Sequence, residues 1–265
     1  EINKIVTINE ASVYISYSDV SEAAGDIRHL AFSSGIDDII REAFSEGEKK
    51  LVVLISRSSY SAEDMAAAVT RVYREDPALV PKEPLASVNM YSGTGAQRLY
   101  EISINYGMTS EELDARTAQL QAVDAFAELD TSGMSEAELA YAACEYLMEH
   151  CAVSDDRSDN TAYAALVGGR ADSEGAALAY IVLCRELGID CRIVYGQEDW
   201  IEHCWNIVRI DGSYYHVDIT AAIEDGAEAG FLMNDEMAWG HYRWDVSSYP
   251  KCSGELRYSD LLFDE

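Results

Sequence analysis

The chain has 265 residues, 48% of them apolar, enough for one large domain or two modest ones with a packed core. It carries 48 acidic against 19 basic residues, a formal net charge of -29 at pH 7. Such a surface repels phosphate backbones and anionic lipid, which argues against nucleic-acid and membrane-surface partners and leaves solubility as its ordinary consequence.

No apolar run is long enough to span a bilayer, and the densest, Leu51 to Ile55, is strand-sized. The first residue is Glu1 rather than Met, which implies a processed or trimmed chain and is compatible with removal of a secretion signal.

In chain order, Ile5 to Tyr17 alternates and is rich in Val, Ile, Thr and Tyr, which predicts a strand. From Glu22 to Glu46 the apolar residues Ile27, Leu30, Ile36, Ile39, Ile40 and Phe44 recur at helical spacing, with Gly35 as a break. Lys50 to Arg57 reads as a buried strand, and a helix capped by Ser61 follows to Glu75. Pro77, Pro81 and Pro84 mark a loop. Strands are expected at Ala86 to Tyr91 and Arg98 to Tyr106. The Gly93-Thr94-Gly95 segment between them lacks the lysine and following helix of a phosphate loop, so it reads as a hairpin turn.

Thr109 with Glu112, and Ser135 with Glu138, are capping boxes. They predict helices to Asp130 and His150, with a break at Thr131-Ser132-Gly133. The domain boundary is placed there: a small α/β domain over 1–132, with no recognisable reaction centre, and a second domain over 133–265. In the latter, a short helix at Thr161 to Val167 precedes a longer one from Ser173 to Leu187. Strands are then expected at Cys191 to Tyr195, His203 to Ile210 and Tyr214 to Asp218, the last two joined by a tight Asp211-Gly212 turn. One helix followed by antiparallel strands is an α+β arrangement.

The six cysteines form no CxxC pair, and most sit at apolar helical or strand positions, which predicts reduced, buried thiols. His150-Cys151 and His203-Cys204 are too sparse for a metal site, and no cofactor motif occurs.

Three segments of the second domain carry a resemblance. Ser173-Glu174-Gly175-Ala176 stands at a helix start, His203-Cys204-Trp205-Asn206 on a strand, and Asp218-Ile219-Thr220-Ala221 at a strand end. In this order, with the flanking Ala162 to Leu166 and Leu187 to Cys191, they resemble the transglutaminase-like superfamily, a branch of the papain-like cysteine enzymes. The resemblance covers about residues 133 to 252 and implies a papain-like core. Across that family a helix-start cysteine attacks a glutamine amide or peptide-like carbonyl, a histidine moves the proton, and a carboxylate orients the ring. Ser173, His203 and Asp218 match those places, but the first holds a serine. The resemblance also implies a peptide or protein substrate and an extracellular or cell-surface location.

Each of the three residues has a plainer reading: Ser173 as a helix N-cap, His203 as a core histidine, Asp218 as the start of a turn. Trp205 and Asn206 read as packing and strand-edge residues. Chemistry separates serine from cysteine at position 173. A helix N-terminus and an imidazolium stabilise a thiolate, whereas a hydroxyl must be deprotonated during attack. Asp172 and Glu174 beside Ser173 oppose a developing anion, and Glu202 beside His203 favours the imidazolium. Three readings follow: a non-catalytic domain that binds peptide or a surface polymer, an active Ser-His-Asp acyl transferase or amide hydrolase, or a cysteine enzyme carrying an introduced serine.

Overall fold

The computed structural model describes residues 27–262 and, before them, two short strands, β1 (Val6–Ile8) and β2 (Ala11–Val13), paired antiparallel. The rest of the strand expected over Ile5 to Tyr17 lies outside the described residues. The chain divides into two compact units, one holding residues up to 73 and 83–114, the other 74–82 and 115–265. The boundary expected near residue 132 falls inside the second unit.

The first unit contains β3 (Ile27–Phe32), α1 (Ile36–Glu46), β4 (Lys50–Arg57), α2 (Ala62–Glu75), β5 (Leu85–Ser92) and β6 (Arg98–Asn105). Its sheet has the order β3-β4-β6-β5, with β3 parallel to β4 and the other pairs antiparallel. Within the helix expected over Glu22 to Glu46, residues 22–26 lie outside the described residues, 27–32 form a strand and the α-helix begins at Ile36. The Ile27–Leu30 spacing imitates a helix, but β4 offers a backbone edge, and ladder hydrogen bonds outweigh so weak a local preference. Ser61 and Asp64 cap α2 reciprocally, and Gly93 N–H bonds Gln97 O at 2.9 Å in the expected hairpin turn.

The helix α3 (Ser110–Gln121) opens on the Thr109–Glu112 box but stops well short of Asp130. The second unit continues with α4 (Glu136–His150), capped by the Ser135–Glu138 box, then β7 (Ala152–Val153), α5 (Ala162–Leu166) and β8 (Arg170–Ala171). Next come α6 (Ser173–Glu186), β9 (Asp190–Glu198), β10 (Ile201–Ile210) and β11 (Ser213–Val217). The unit closes with α7 (Ile219–Asp225), α8 (Ala227–Gly230), α9 (Asp235–Ala238), β12 (Tyr242–Arg243) and α10 (Tyr258–Leu261). Its four-stranded sheet is antiparallel, in the order β11-β10-β9-β12, β7 and β8 form a separate parallel pair, and α6 lies against β9 and β10. The fold is α+β, a helix on an antiparallel sheet, as expected.

Composition explains why α6 is central. Residues 175–181 are all buried, with Leu183 and Cys184 beyond them, so the helix is apolar around its whole circumference and must be enclosed. Leu178, Ile181 and Leu183 each contribute roughly 1.5–3 kcal/mol by leaving water. The strand β10 is also covered on both faces. Trp205 and Ile207 pack with Met233, Ala238, Tyr242 and Cys252, while Asn206 reaches the other way to the α6 carbonyl of Ala177 at 3.0 Å. All six cysteines are unpaired and four are buried. Among the described residues no helix is long and apolar enough to cross a membrane.

The first turn of α6 approaches the 159–161 loop so closely that a Cβ on Gly175 would strike the backbone of Asp159 and lie 2.9 Å from Thr161 N. Helix propensity alone favours Gly→Ala by roughly 1 kcal/mol. Overpacking against backbone costs roughly 1–3 kcal/mol and wins. Gly175→Ala is therefore expected to lower the denaturation midpoint by the equivalent of about 1–2 kcal/mol, measured by urea unfolding.

Candidate active site

The N-terminus of α6 is set by Asp172, not Ser173. Asp172 has extended backbone angles (φ -77°, ψ -177°), and its Oδ1 accepts the Gly175 N–H at 3.0 Å. Ser173 is thus the first helical residue, and its hydroxyl is freed from capping. Its Oγ accepts the backbone N–H of Cys204 at 3.3 Å. The N-cap role expected for Ser173 falls to its neighbour because only the residue before the first helical one has the geometry to cap.

Across from this helix end, β10 presents His203. Its Nε2 donates to Asp218 Oδ2 at 2.6 Å, which leaves Nδ1 as the ring nitrogen able to serve residue 173. Asp218 follows β11 and caps α7, accepting the Ala221 N–H at 3.1 Å and the Thr220 hydroxyl at 2.7 Å on Oδ1. Its Oδ2 also accepts the Tyr242 hydroxyl at 2.9 Å. The structure therefore brings His203 and Asp218 into direct contact. It places Ser173 and His203 on one cleft of about 470 Å³, which Tyr195, Glu174, Glu202 and Cys204 also line. The cross-tie from Asn206 to Ala177 fixes β10 against α6, and so one cleft wall against the other. Asn206 is not at a strand edge: it pairs with Ile193 on one side and Val217 on the other.

The electrostatics favour a charged imidazole. Burial opposes protonation of His203, but the hydrogen bond and charge of Asp218, followed by Glu198 and Glu224, raise its pKa above the ordinary value overall. Asp218 responds in the opposite sense. Burial works against its charge, yet His203, Thr220 and the Ala221 amide hold its carboxyl below the usual range. Glu202 does not act on His203 as expected. It is exposed and lies 3.6 Å from Arg157, while Glu198 stands 3.7 Å from His203 Nε2. On the other wall, Glu174 accepts from the Tyr195 hydroxyl at 2.8 Å, and the Arg74 guanidinium lies 4.1 Å from the Tyr195 ring centroid. Cys204 is no substitute nucleophile, because burial, with Glu174 and Asp172, pushes its thiol up to about 12.

Sequence reasoning missed Tyr242, Glu198 and Thr220. Thr220 lies within the Asp218-Ile219-Thr220 segment, and its spacing two residues after a carboxylate is a legible turn signal. Tyr242 and Glu198 arrive through sheet pairing, since Tyr242 lies opposite Glu198 in the β12–β9 register. Nothing local announces them. Glu198, His203 and Asp218 also form a histidine–dicarboxylate trio whose possible ligand atoms lie within 4.8 Å of one another. The direct His203–Asp218 hydrogen bond accounts for two of those groups.

Residues 124–219 match the sequence model of the family described as the transglutaminase-like superfamily. Over this segment the chain is similar to that superfamily, and the α+β helix-on-sheet core around it is consistent with a transglutaminase-like arrangement. The matched segment contains Ser173, His203 and Asp218 and ends before Tyr242. Two solved structures are similar over part of their length. One, described as a TGase, has 12% identity and a TM-score of 0.34 over 74% of this chain. The other, a provisionally assigned cysteine protease from Cytophaga hutchinsonii, has 12% identity and a TM-score of 0.33 over 51% of this chain. The chain spans 59% and 62% of the lengths of these two proteins. No curated protein sequence matches it.

The His203–Asp218 pair predicts a particular pH dependence. With a native pKa above 6.5, His203 contributes stability that is complete below about pH 6.5 and is lost as pH rises through its native value. Asp218 contributes stability that is present above about pH 3.8 and is lost as pH falls through its lowered value. The destabilisation caused by His203→Gln should therefore be largest near about pH 6, on the order of 2–4 kcal/mol, and shrink toward about pH 9. Urea midpoints of the two proteins across that range measure it. A penalty that grows with pH would contradict the assignment.

Proposed function

We propose that this chain is a peptide-binding, transglutaminase-like protein whose acyl-transfer chemistry is silenced at residue 173. The observation that carries the reading is the Ser173 hydroxyl at the first position of α6, opposite a histidine held toward its charged form by Asp218 and Glu198. A cysteine in that place would be stabilised as thiolate by the helix terminus and the imidazolium, which bring thiol pKa values to about 3.5–7.5 in comparable settings. A serine hydroxyl stays neutral there. It needs a neutral imidazole to remove its proton, and raising the His203 pKa lowers the supply of that form. Asp172 and Glu174 on either side add negative charge where an alkoxide would develop.

Binding has no such requirement. The cleft walls are fixed by the Asn206–Ala177 bond, the Asp172 cap and the sheet, none of which involves the ionisation of residue 173. Its carboxylates suit peptide segments bearing basic residues. The second reading, an active Ser-His-Asp acyl transferase or amide hydrolase, is favoured by the 2.6 Å His203–Asp218 contact, the arrangement a working base requires.

The test compares the unmodified protein, Ser173→Cys and Ser173→Ala on glutamine-containing peptides with a labelled amine, together with peptide binding by each. The unmodified protein is expected to be silent in turnover, and Ser173→Cys to exceed it by on the order of 100-fold or more, the scale of a general acid–base contribution. All three should bind peptide alike. Turnover by the unmodified protein that Ser173→Ala abolishes would sink the silenced reading and establish the second.

A further inference from the structure

Behind the candidate histidine lies a second histidine–carboxylate pair that the chemistry described above does not use. His216 on β11 is fully buried, and its Nε2 lies 3.0 Å from Asp235 Oδ1. Its Nδ1 lies 3.0 Å from the indole Nε1 of Trp205. An indole nitrogen only donates, so His216 Nδ1 carries no proton, and the proton sits on Nε2 and is donated to Asp235. The tautomer is fixed by two partners at once. Asp235 is fixed in turn: its Oδ1 accepts the Cys252 N–H at 3.1 Å, and its own N–H bonds Cys252 O at 2.8 Å. His216 is tied through its backbone to Met233, in both directions, at 2.7 and 3.0 Å.

The far end of this chain is Trp205. It lies two residues from His203 on β10, and so on the same face of the strand. The two rings lie near-parallel, 22° apart, with centroids separated by 6.2 Å. Trp205 also packs on Tyr242 at 5.1 Å, and the Tyr242 hydroxyl donates to Asp218. One indole therefore backs both partners of the His203–Asp218 pair. We propose that Asp235, His216 and Trp205 form a positioning relay that holds the His203 ring, and Tyr242 behind Asp218, in the geometry the candidate triad uses. This rests on the triad reading of the cleft. Asp235 and Tyr242 both lie beyond the segment that matches the superfamily, so the C-terminal residues 233–252 supply the anchor.

The same three side chains invite a metal reading, because His216, Asp235 and Cys252 offer ligand atoms within 4.8 Å of one another. The tautomer argues against it. A metal on Nε2 would leave the ring proton on Nδ1, facing the Trp205 N–H, and two donors would then meet in a buried space. Burial, with Asp235 beside it, also keeps the Cys252 thiol protonated, and burial keeps His216 neutral against the pull of Asp235.

The experiment uses the full chain with 15N-labelled histidine and tryptophan, in the Ser173→Cys background and in the unmodified protein. At neutral pH His216 should read as the neutral Nε2–H tautomer, with the Trp205 indole proton slow to exchange. His216→Phe should shift the His203 titration and, in the Ser173→Cys background, cut kcat by roughly 10–100-fold with little change in KM, the scale of a misplaced catalytic group. Asp235→Leu should do the same. Asp235 is partly exposed (29% for its side chain), so this variant serves if His216→Phe fails to fold. Asp235→Asn, which still accepts from Nε2–H, should restore most of the loss. A variant that only lowers the melting temperature, with the His203 titration and kcat unchanged, overturns the relay. So does stoichiometric zinc that Cys252→Ala releases. If Ser173→Cys is inactive the triad reading fails, and the His203 titration and the indole exchange rate alone then decide whether the relay holds that ring.

Discussion

A single buried carboxylate organises the second unit. Asp218 is 1% exposed, and an ion so placed persists only if its oxygens are saturated. Four donors do this: the His203 ring, the Tyr242 hydroxyl, the Thr220 hydroxyl and the Ala221 amide. They come from three different elements. His203 is delivered by β10, Thr220 and Ala221 by the first turn of α7, and Tyr242 by a strand that pairs with the far edge of β9. The carboxylate fixes where these elements meet, and their packing fixes where it can sit. Losing any one donor leaves the others holding a charge short of compensation, which makes the arrangement cooperative.

That cooperativity sets the electrostatic character of the cleft. The negative charge of Asp218 is spent on His203 first, and Glu198 adds to it from the neighbouring strand. The balance tips the imidazole toward its charged form although burial opposes it. A charged ring suits a thiolate partner, since the two charges stabilise each other beside a helix terminus. It suits a hydroxyl poorly. The environment around residue 173 would therefore stabilise a thiolate better than it activates the hydroxyl present there.

How much of this was legible in the sequence follows from the range of the interactions. The caps at Ser61, Thr109 and Ser135 are contacts within one turn, and all were readable from local sequence. Ser173, His203 and Asp218 were readable as an ordered set, although Asp172 rather than Ser173 turned out to cap the helix. The strand β3 was not readable, because its conformation is decided by pairing with β4 and not by its own residues. Tyr242, Glu198 and Asp235 were equally opaque. Each reaches the site through a sheet register or a loop return over many residues, so nothing in its own segment assigns it a place there. The acidic composition misled in one detail, since Glu202 adjoins His203 in sequence but alternation along β10 turns it toward Arg157.

The separation between framework and chemistry is itself informative. Among the described residues, Ser173 Oγ takes part in one long hydrogen bond, accepting the Cys204 N–H at 3.3 Å. The helix carrying it is held by the Asp172 cap, by the close approach at Gly175 and by the Asn206 tie to Ala177. Exchanging sulfur for oxygen at this position therefore alters ionisation without disturbing any contact that defines the cleft. Here the groups that shape the cavity and the side-chain atom at residue 173 are different, so that atom can be varied without altering the contacts that define the cleft.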